Sequence, residues 1–128
     1  MTALVLELKQ GESMILNGAV IRFKTRTRLE LSTPARFLFG RQIMREEEAT
    51  TPARKAYYAL QKAYIGAEAE RPAAQAAAQA LVSGLRESAE GAARAQWEAL
   101  LTSLGGDAGF DALKLARGMI RAEEFSGS

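Results

Sequence analysis

The chain has 128 residues, 48% of them hydrophobic, so it can bury a core, and a formal net charge of +2. This length fits one compact domain, or a small domain with a helical extension. Cysteine and histidine are both absent, which excludes disulfides, thiol nucleophiles, imidazole catalysis and the usual zinc or haem ligands. Because no phosphate loop, dinucleotide fingerprint or nucleophile elbow is present either, we expect neither an enzyme nor a cofactor or metal.

The sequence shows no sign of a membrane or secretory segment. It has no run of about 18 apolar residues, which a membrane-spanning helix requires. Residues 1–7 lack a basic leader followed by a long apolar stretch. We therefore expect a cytoplasmic protein.

Charge divides the chain into two parts. Residues 1–45 contain eight basic side chains and three acidic ones, a net of +5, whereas residues 46–128 contain nine and twelve, a net of −3. A basic segment attracts polyanions, and phosphate contacts supply most of the sequence-independent affinity for nucleic acid. The alternative is that these arginines only form a solvated face. We predict a basic β-rich domain at 1–45 and a helical interaction domain at 46–128.

Alternating apolar residues predict five short strands in the first part, at 4–8, 13–16, 19–24, 27–32 and 36–39. Asn17-Gly18 is a strong two-residue hairpin pattern, and Pro34 ends the fourth strand because proline cannot donate to a ladder. Tight turns favour a five-stranded antiparallel meander. So short a sheet cannot fold alone without metal or disulfides. It must be completed by the helices, by a second copy, or by both, so we expect a homodimer through the β-domain.

The second part is predicted to be helical, which makes the fold class α+β. Thr51 is a favourable N-cap ahead of Pro52, and Gly66 ends this helix. The alanine-rich stretch 73–95 is also helical, with a bend or break near Gly84 or Gly91. A leucine stripe around Trp97 follows and ends at Gly105-Gly106, and a last helix precedes the C-terminal residues 126–128.

Three features of the helical part admit two interpretations each. The acidic run 46–48 could suggest a metal or acid–base site, but adjacent acids before a helix usually complement its dipole. Tyr57 and Tyr64 could stack on bases, although their stripe favours core packing. Trp97 is a core or helix–helix residue that could also anchor a partner. Tyr58 lies off the stripe, so we take Tyr58 and Trp97 as candidate partner-binding residues.

The basic residues are spaced so that several share a strand face. Arg22 and Lys24 lie two apart, as do Arg26 and Arg28 beyond the turn. Arginine can pair with phosphate and stack on exposed bases, which suits single-stranded RNA. The candidate RNA-binding residues are Lys9, Arg22, Lys24, Arg26, Arg28, Arg36 and Arg41. The same side chains could instead cover an acidic protein.

Four segments, spanning residues 4–12, 15–22, 43–44 and 47–54, together with Tyr57 and Tyr64, resemble the FlbT family of flagellin-expression regulators. The resemblance covers about half of the chain. It implies a post-transcriptional regulator that acts on the 5′ untranslated region of flagellin messenger RNA and lowers translation or message lifetime. In some relatives the sign is reversed. It also implies a link to FlaF, so the partners expected are a flagellin leader RNA and, alternatively or additionally, FlaF or flagellin. In the alternative function, the chain is a protein-interaction module that senses flagellin or FlaF and affects flagellin expression indirectly.

Leu4-Val5-Leu6, Lys9, Gly11-Glu12-Ser13 and the stretch 34–41 are similar to the carbon storage regulator CsrA. That resemblance implies a five-stranded, strand-swapped dimer that binds RNA along its first and fifth strands. Arg41 matches the arginine just after the fifth strand. Glu7 and Leu8 depart from the pattern, and a carboxylate there repels phosphate. This departure moves the expected RNA surface from the whole first edge toward the middle strands and Arg41.

Overall fold

Five strands and four α-helices form the part of the chain that the computed structural model describes, residues 4–33, 35–105 and 109–126. The strands are β1 (Leu4–Leu8), β2 (Ser13–Leu16), β3 (Ala19–Arg22), β4 (Thr27–Leu31) and β5 (Phe37–Phe39). The helices are α1 (Pro52–Ile65), α2 (Arg71–Glu87), α3 (Gly91–Gly105) and α4 (Gly109–Ser126). The α+β class and the position of every strand are as predicted. The predicted roles of Pro34 and Gly106, and residues 127–128, lie outside the described residues.

The strands form two small antiparallel sheets, so the predicted single five-stranded meander is wrong. β1 pairs with β4, whereas β2 lies between β3 and β5. The reason is that the middle strands are apolar on both faces and need cover on both sides. Met14 on β2 faces the β1–β4 sheet, where it packs with Leu6 and Leu8. Leu38 on β5 faces the helices instead.

The three-stranded sheet is consequently the middle of three layers. Leu38 is fully buried among the helices, while its neighbours Phe37 and Phe39 point to the opposite side, as period-2 alternation requires. The sheet is thus completed by its own helices on one face and by a second small sheet on the other. A further copy of the chain is not needed to cover either face of β5.

The helices follow their local sequence patterns closely. The side-chain oxygen of Thr51 accepts the backbone N–H of Arg54, so Thr51 caps α1 as predicted. The predicted helical stretch 73–95 is broken between α2 and α3, just before Gly91, whose φ is +60°. α1 packs against α2 and α4, and α3 packs against the same two helices. None of the described helices is long and apolar enough to cross a bilayer.

A buried glutamine holds the segment that joins the sheets to the helices. Gln61 on α1 is 5% exposed. Its side-chain oxygen accepts the Met44 backbone N–H at 2.7 Å, and its Nε2 donates to the Met44 carbonyl at 2.9 Å. Because both polar groups of Met44 are bound to one side chain, the connection between β5 and α1 has a fixed path.

Candidate nucleic-acid interface

The outer face of the β1–β4 sheet carries nearly balanced charges. Leu6 and Leu29 point into the core between the sheets, so Glu7, Arg28 and Glu30 point outward. Glu7 lies opposite Arg28 and also within 3.8 Å of the Arg26 guanidinium. Exposed ion pairs of this kind contribute little stability, but they lower the local positive potential. This face is therefore a poor surface for a polyanion.

The basic residues of β3 belong to the other sheet. Arg22 lies beside Ile21, which packs in the core between the sheets, so Arg22 points away from that core. Lys24, two residues on, is also exposed. Since Arg22 and Arg28 are on the outward faces of different sheets, they do not form one surface. Lys9 is exposed in the turn after β1, where its backbone N–H donates to Glu12 at 2.6 Å.

Arg36 is turned toward the helices. Its guanidinium carbon lies 5.4 Å from the centre of the Tyr64 ring, and its Nη1 donates to the Tyr64 carbonyl at 3.4 Å. Burial raises the pKa of Tyr64, and the nearby charge of Arg36 opposes that rise. Arg36 is half-buried. This arginine therefore links β5 to the end of α1, which leaves less of it accessible to a phosphate than the sequence suggested.

Arg41 is exposed on a short 3-10 turn, Gly40–Gln42, directly after β5. It lies at the edge of an open cleft of about 580 Å³ between this turn and helices α1 and α4. Three more arginines line the cleft, namely Arg54 from α1 and Arg117 and Arg121 from α4. The structure therefore joins one predicted RNA-binding residue to three arginines from the part of the chain that is acidic overall.

Two side chains fix the turn that presents Arg41. Arg117 Nη2 donates to the Arg41 carbonyl at 3.0 Å, and its guanidinium lies 5.7 Å from the centre of the Tyr57 ring. The Tyr57 hydroxyl donates in turn to the Gln42 carbonyl. Burial raises the pKa of Tyr57, while the charge of Arg117 opposes the rise. Tyr57 is buried at 3% exposure, so its role is packing and positioning rather than base stacking.

The acids of the cleft offset only part of the charge of its arginines. Glu48 and Glu124 are the two glutamates in its lining. The carboxylate of Glu48 accepts the backbone N–H of Arg45 at 2.9 Å and its side-chain Nε at 3.2 Å, and these contacts lower the pKa of Glu48. Among the described residues, the four cleft arginines have no carboxylate within ion-pair distance. The charge of Arg54 also helps to lower the pKa of Glu48, so this pair is partly compensated. The cleft still has an excess of positive charge, with four arginines against two glutamates in its lining.

Sequence reasoning missed Arg54, Arg117 and Arg121 because it summed charge along the chain. The spacing of Arg117 and Arg121 predicts that the two side chains lie on the same face of a helix, since they are four residues apart. This spacing does not predict which other element that face contacts. Only the packing of α4 against α1 brings both arginines beside Arg41.

The candidate partner-binding aromatics have different environments. Trp97 is 6% exposed and packs with Leu100 and Leu104 in the helical core. This burial favours the core alternative for Trp97, and its role as a partner anchor stays an untested prediction. Tyr58 is partly exposed, with the Lys62 ammonium 4.8 Å from the centre of its ring. Tyr58 remains a candidate contact for a protein partner.

Comparison with known proteins gives a consistent result. A family model described as "Flagellar protein FlbT" matches residues 4–125. Proteins of Brucella ovis and Brucella melitensis biotype 2, each named "Probable flagellum biosynthesis repressor protein FlbT", are 41% identical over 64 residues, which is 50% of this chain and 42% of each relative. The protein of that name from Brucella anthropi is 40% identical over 63 residues, 49% of this chain and 41% of the relative. The matched stretch thus covers less than half of these relatives. No solved structure matches, so the CsrA-like arrangement has no support from that comparison.

Proposed function

Since the chain belongs to the FlbT family, we propose that it is a post-transcriptional regulator that binds the 5′ untranslated region of flagellin messenger RNA and lowers its translation or lifetime. Relatives named as flagellum biosynthesis repressors support the regulatory role. The observation that carries the RNA contact is the excess of positive charge around the exposed Arg41, where four arginines and two glutamates line one cleft. Such a surface neutralises phosphates and releases their counterions, which drives nucleic-acid binding.

The setting and partners are part of the same proposal. A regulator of messenger RNA acts in the cytoplasm, so we place the protein there. The edge of β1 not paired with β4 can extend a sheet, and we propose a homodimer through the β-domain with a CsrA-like sheet arrangement. The helical part, with Tyr58 partly exposed on α1, is the side on which FlaF or flagellin would dock.

A salt titration of RNA binding tests this function. The purified protein is titrated against the flagellin leader of its own organism and against a scrambled RNA of the same length. We expect tighter binding to the leader, with the logarithm of affinity falling by about 0.7 per phosphate contact for each tenfold rise in salt. Arg94→Gln is a suitable control because Arg94 lies on α3 in an exposed pair with Glu98.

The protein-interaction function predicts a different result. A protein that never binds leader RNA at low salt, yet captures purified FlaF or flagellin, would contradict the proposal and support indirect regulation. Equal affinity for leader and scrambled RNA would contradict leader recognition.

A further inference from the structure

We infer that the cleft lined by Arg41, Arg54, Arg117 and Arg121 grips the phosphodiester backbone of single-stranded RNA, and that the outer sheet faces contribute little. This inference rests on the proposed function and states which surface of the protein contacts the RNA. The sequence predicted that surface within residues 1–45, whereas the cleft lies at the boundary between the sheets and the helices.

The cleft is assembled from three elements that the fold holds together. Arg41 comes from the turn after β5, Arg54 from the first turn of α1, and Arg117 and Arg121 from one face of α4. Side chains four residues apart on a helix have their Cβ atoms about 5–6 Å from each other. Arg117 is fixed by its bond to the Arg41 carbonyl and by the Tyr57 ring. Arg117 and the backbone of the turn that carries Arg41 are therefore positioned before any ligand arrives, which reduces the entropy lost on binding.

Electrostatics favours this cleft over the sheet faces. On the β1–β4 face, Glu7 and Glu30 oppose Arg26 and Arg28. In the cleft, four arginines face two glutamates, and Glu48 is already bound by Arg45. Like charges held in one cleft repel each other, and an anionic ligand removes that repulsion. Binding of a polyanion should therefore lower the electrostatic free energy of the cleft more than that of the β1–β4 sheet face.

The size and chemistry of the cleft fit a stretch of nucleotide chain. Its volume of about 580 Å³ lies within the range of about 300–1,000 Å³ of pockets that hold whole small molecules. Guanidinium groups bind phosphate through two parallel hydrogen bonds and can also stack on unpaired bases. Ile43, Met44 and Ile120 add apolar lining on which a base or ribose can rest. Single strands offer both groups to a protein surface, whereas a duplex hides its bases.

Two double variants that remove the same charge test the inference. In the cleft variant, Arg54→Gln is combined with Arg121→Gln. Neither side chain is in the ion pairs found among the described residues, although the charge of Arg54 acts on Glu48. In the sheet variant, Arg26→Gln is combined with Arg28→Gln. Both are titrated against the flagellin leader and an oligouridylate, which probes phosphate contacts without leader sequence. Thermal unfolding of each variant checks that the fold is kept.

We expect the cleft variant to bind both RNAs more weakly by about 25-fold at about 0.1 M salt, since each lost contact removes a factor of about five. Its salt slope should fall by about 1.4. The sheet variant should change affinity by no more than about twofold, because Arg26 and Arg28 do not line the cleft and are both next to Glu7. Inorganic phosphate at an equal concentration of phosphate groups should compete weakly.

The outcomes separate this inference from the proposed function. If the wild type binds the leader but the cleft variant binds as well as the wild type, the cleft assignment is wrong and the function stands. If the cleft governs binding to oligouridylate but the leader has no advantage, the function is wrong and the cleft assignment stands. Equal losses in both variants, or competition by inorganic phosphate as strong as by RNA, would overturn the cleft as an RNA site. Binding of neither RNA at low salt would overturn both.

Discussion

Replacing Gln61 by leucine should loosen the connection between the sheets and the helices. Gln61 makes two hydrogen bonds, at 2.7 and 2.9 Å, to the backbone of Met44. Leaving a buried polar group without a partner costs about 1–3 kcal/mol. Met44 is half-buried, so water can partly replace the lost bonds, and the lower end applies to each. We therefore expect Gln61→Leu to lower the free energy of unfolding by about 2 kcal/mol.

Urea unfolding followed by circular dichroism measures this change. A loss of about 2 kcal/mol corresponds to a fall in Tm of roughly 6–10 °C for a domain of this size. Gln79→Leu is the matched control, because Gln79 is exposed on α2 and its replacement should change stability by less than about 0.5 kcal/mol. A Gln61→Leu variant as stable as Gln79→Leu would refute the idea that Gln61 holds this connection.

Three further substitutions test the core, a turn and the cleft. Leu38→Ala should destabilise the protein by about 2–5 kcal/mol in urea unfolding, since Leu38 is fully buried between the sheet and the helices; a loss below 1 kcal/mol would contradict that packing. Gly18→Ala should cost about 1–2 kcal/mol in the same assay, because Gly18 has a φ of +88° and a Cβ would lie 3.3 Å from the backbone of Ala67. Because the pKa of Tyr57 is raised in the folded protein, its hydroxyl loses its proton at lower pH in the unfolded chain than in the folded one. The free energy of unfolding is therefore unaffected by this group below about pH 10 and falls as the pH rises above that value. Tyr57→Phe should flatten that alkaline fall in unfolding curves measured across pH, and an unchanged slope would contradict burial as the cause.

The strands and helix ends were predictable because each has a local cause. Alternation locates β1 to β5, and the Thr51 cap and the break before Gly91 mark helix boundaries. The division into two sheets was not predictable from these patterns. Strand pairing depends on which apolar faces need cover, and β2 and β5 need it on both sides. Nothing local to β4 indicates that its partner is β1 rather than β3.

The candidate site was predictable only in part. Arg41 was identified from its place after the fifth strand, but its neighbours Arg54, Arg117 and Arg121 come from distant segments. Charge summed along the chain hid them, because residues 46–128 are acidic overall. Arg36 was expected to meet phosphate, yet its guanidinium donates to the Tyr64 carbonyl and lies over the Tyr64 ring.

Crosslinking in flagellated cells tests the central claim most directly. Ultraviolet light joins bound RNA to the protein, and sequencing together with mass spectrometry identifies the RNA and the attached peptide. We expect the flagellin leader to be recovered, joined to peptides that contain Arg41, Arg54 or residues 117–121. Recovery of the protein with FlaF or flagellin but without leader RNA would contradict direct binding of the message.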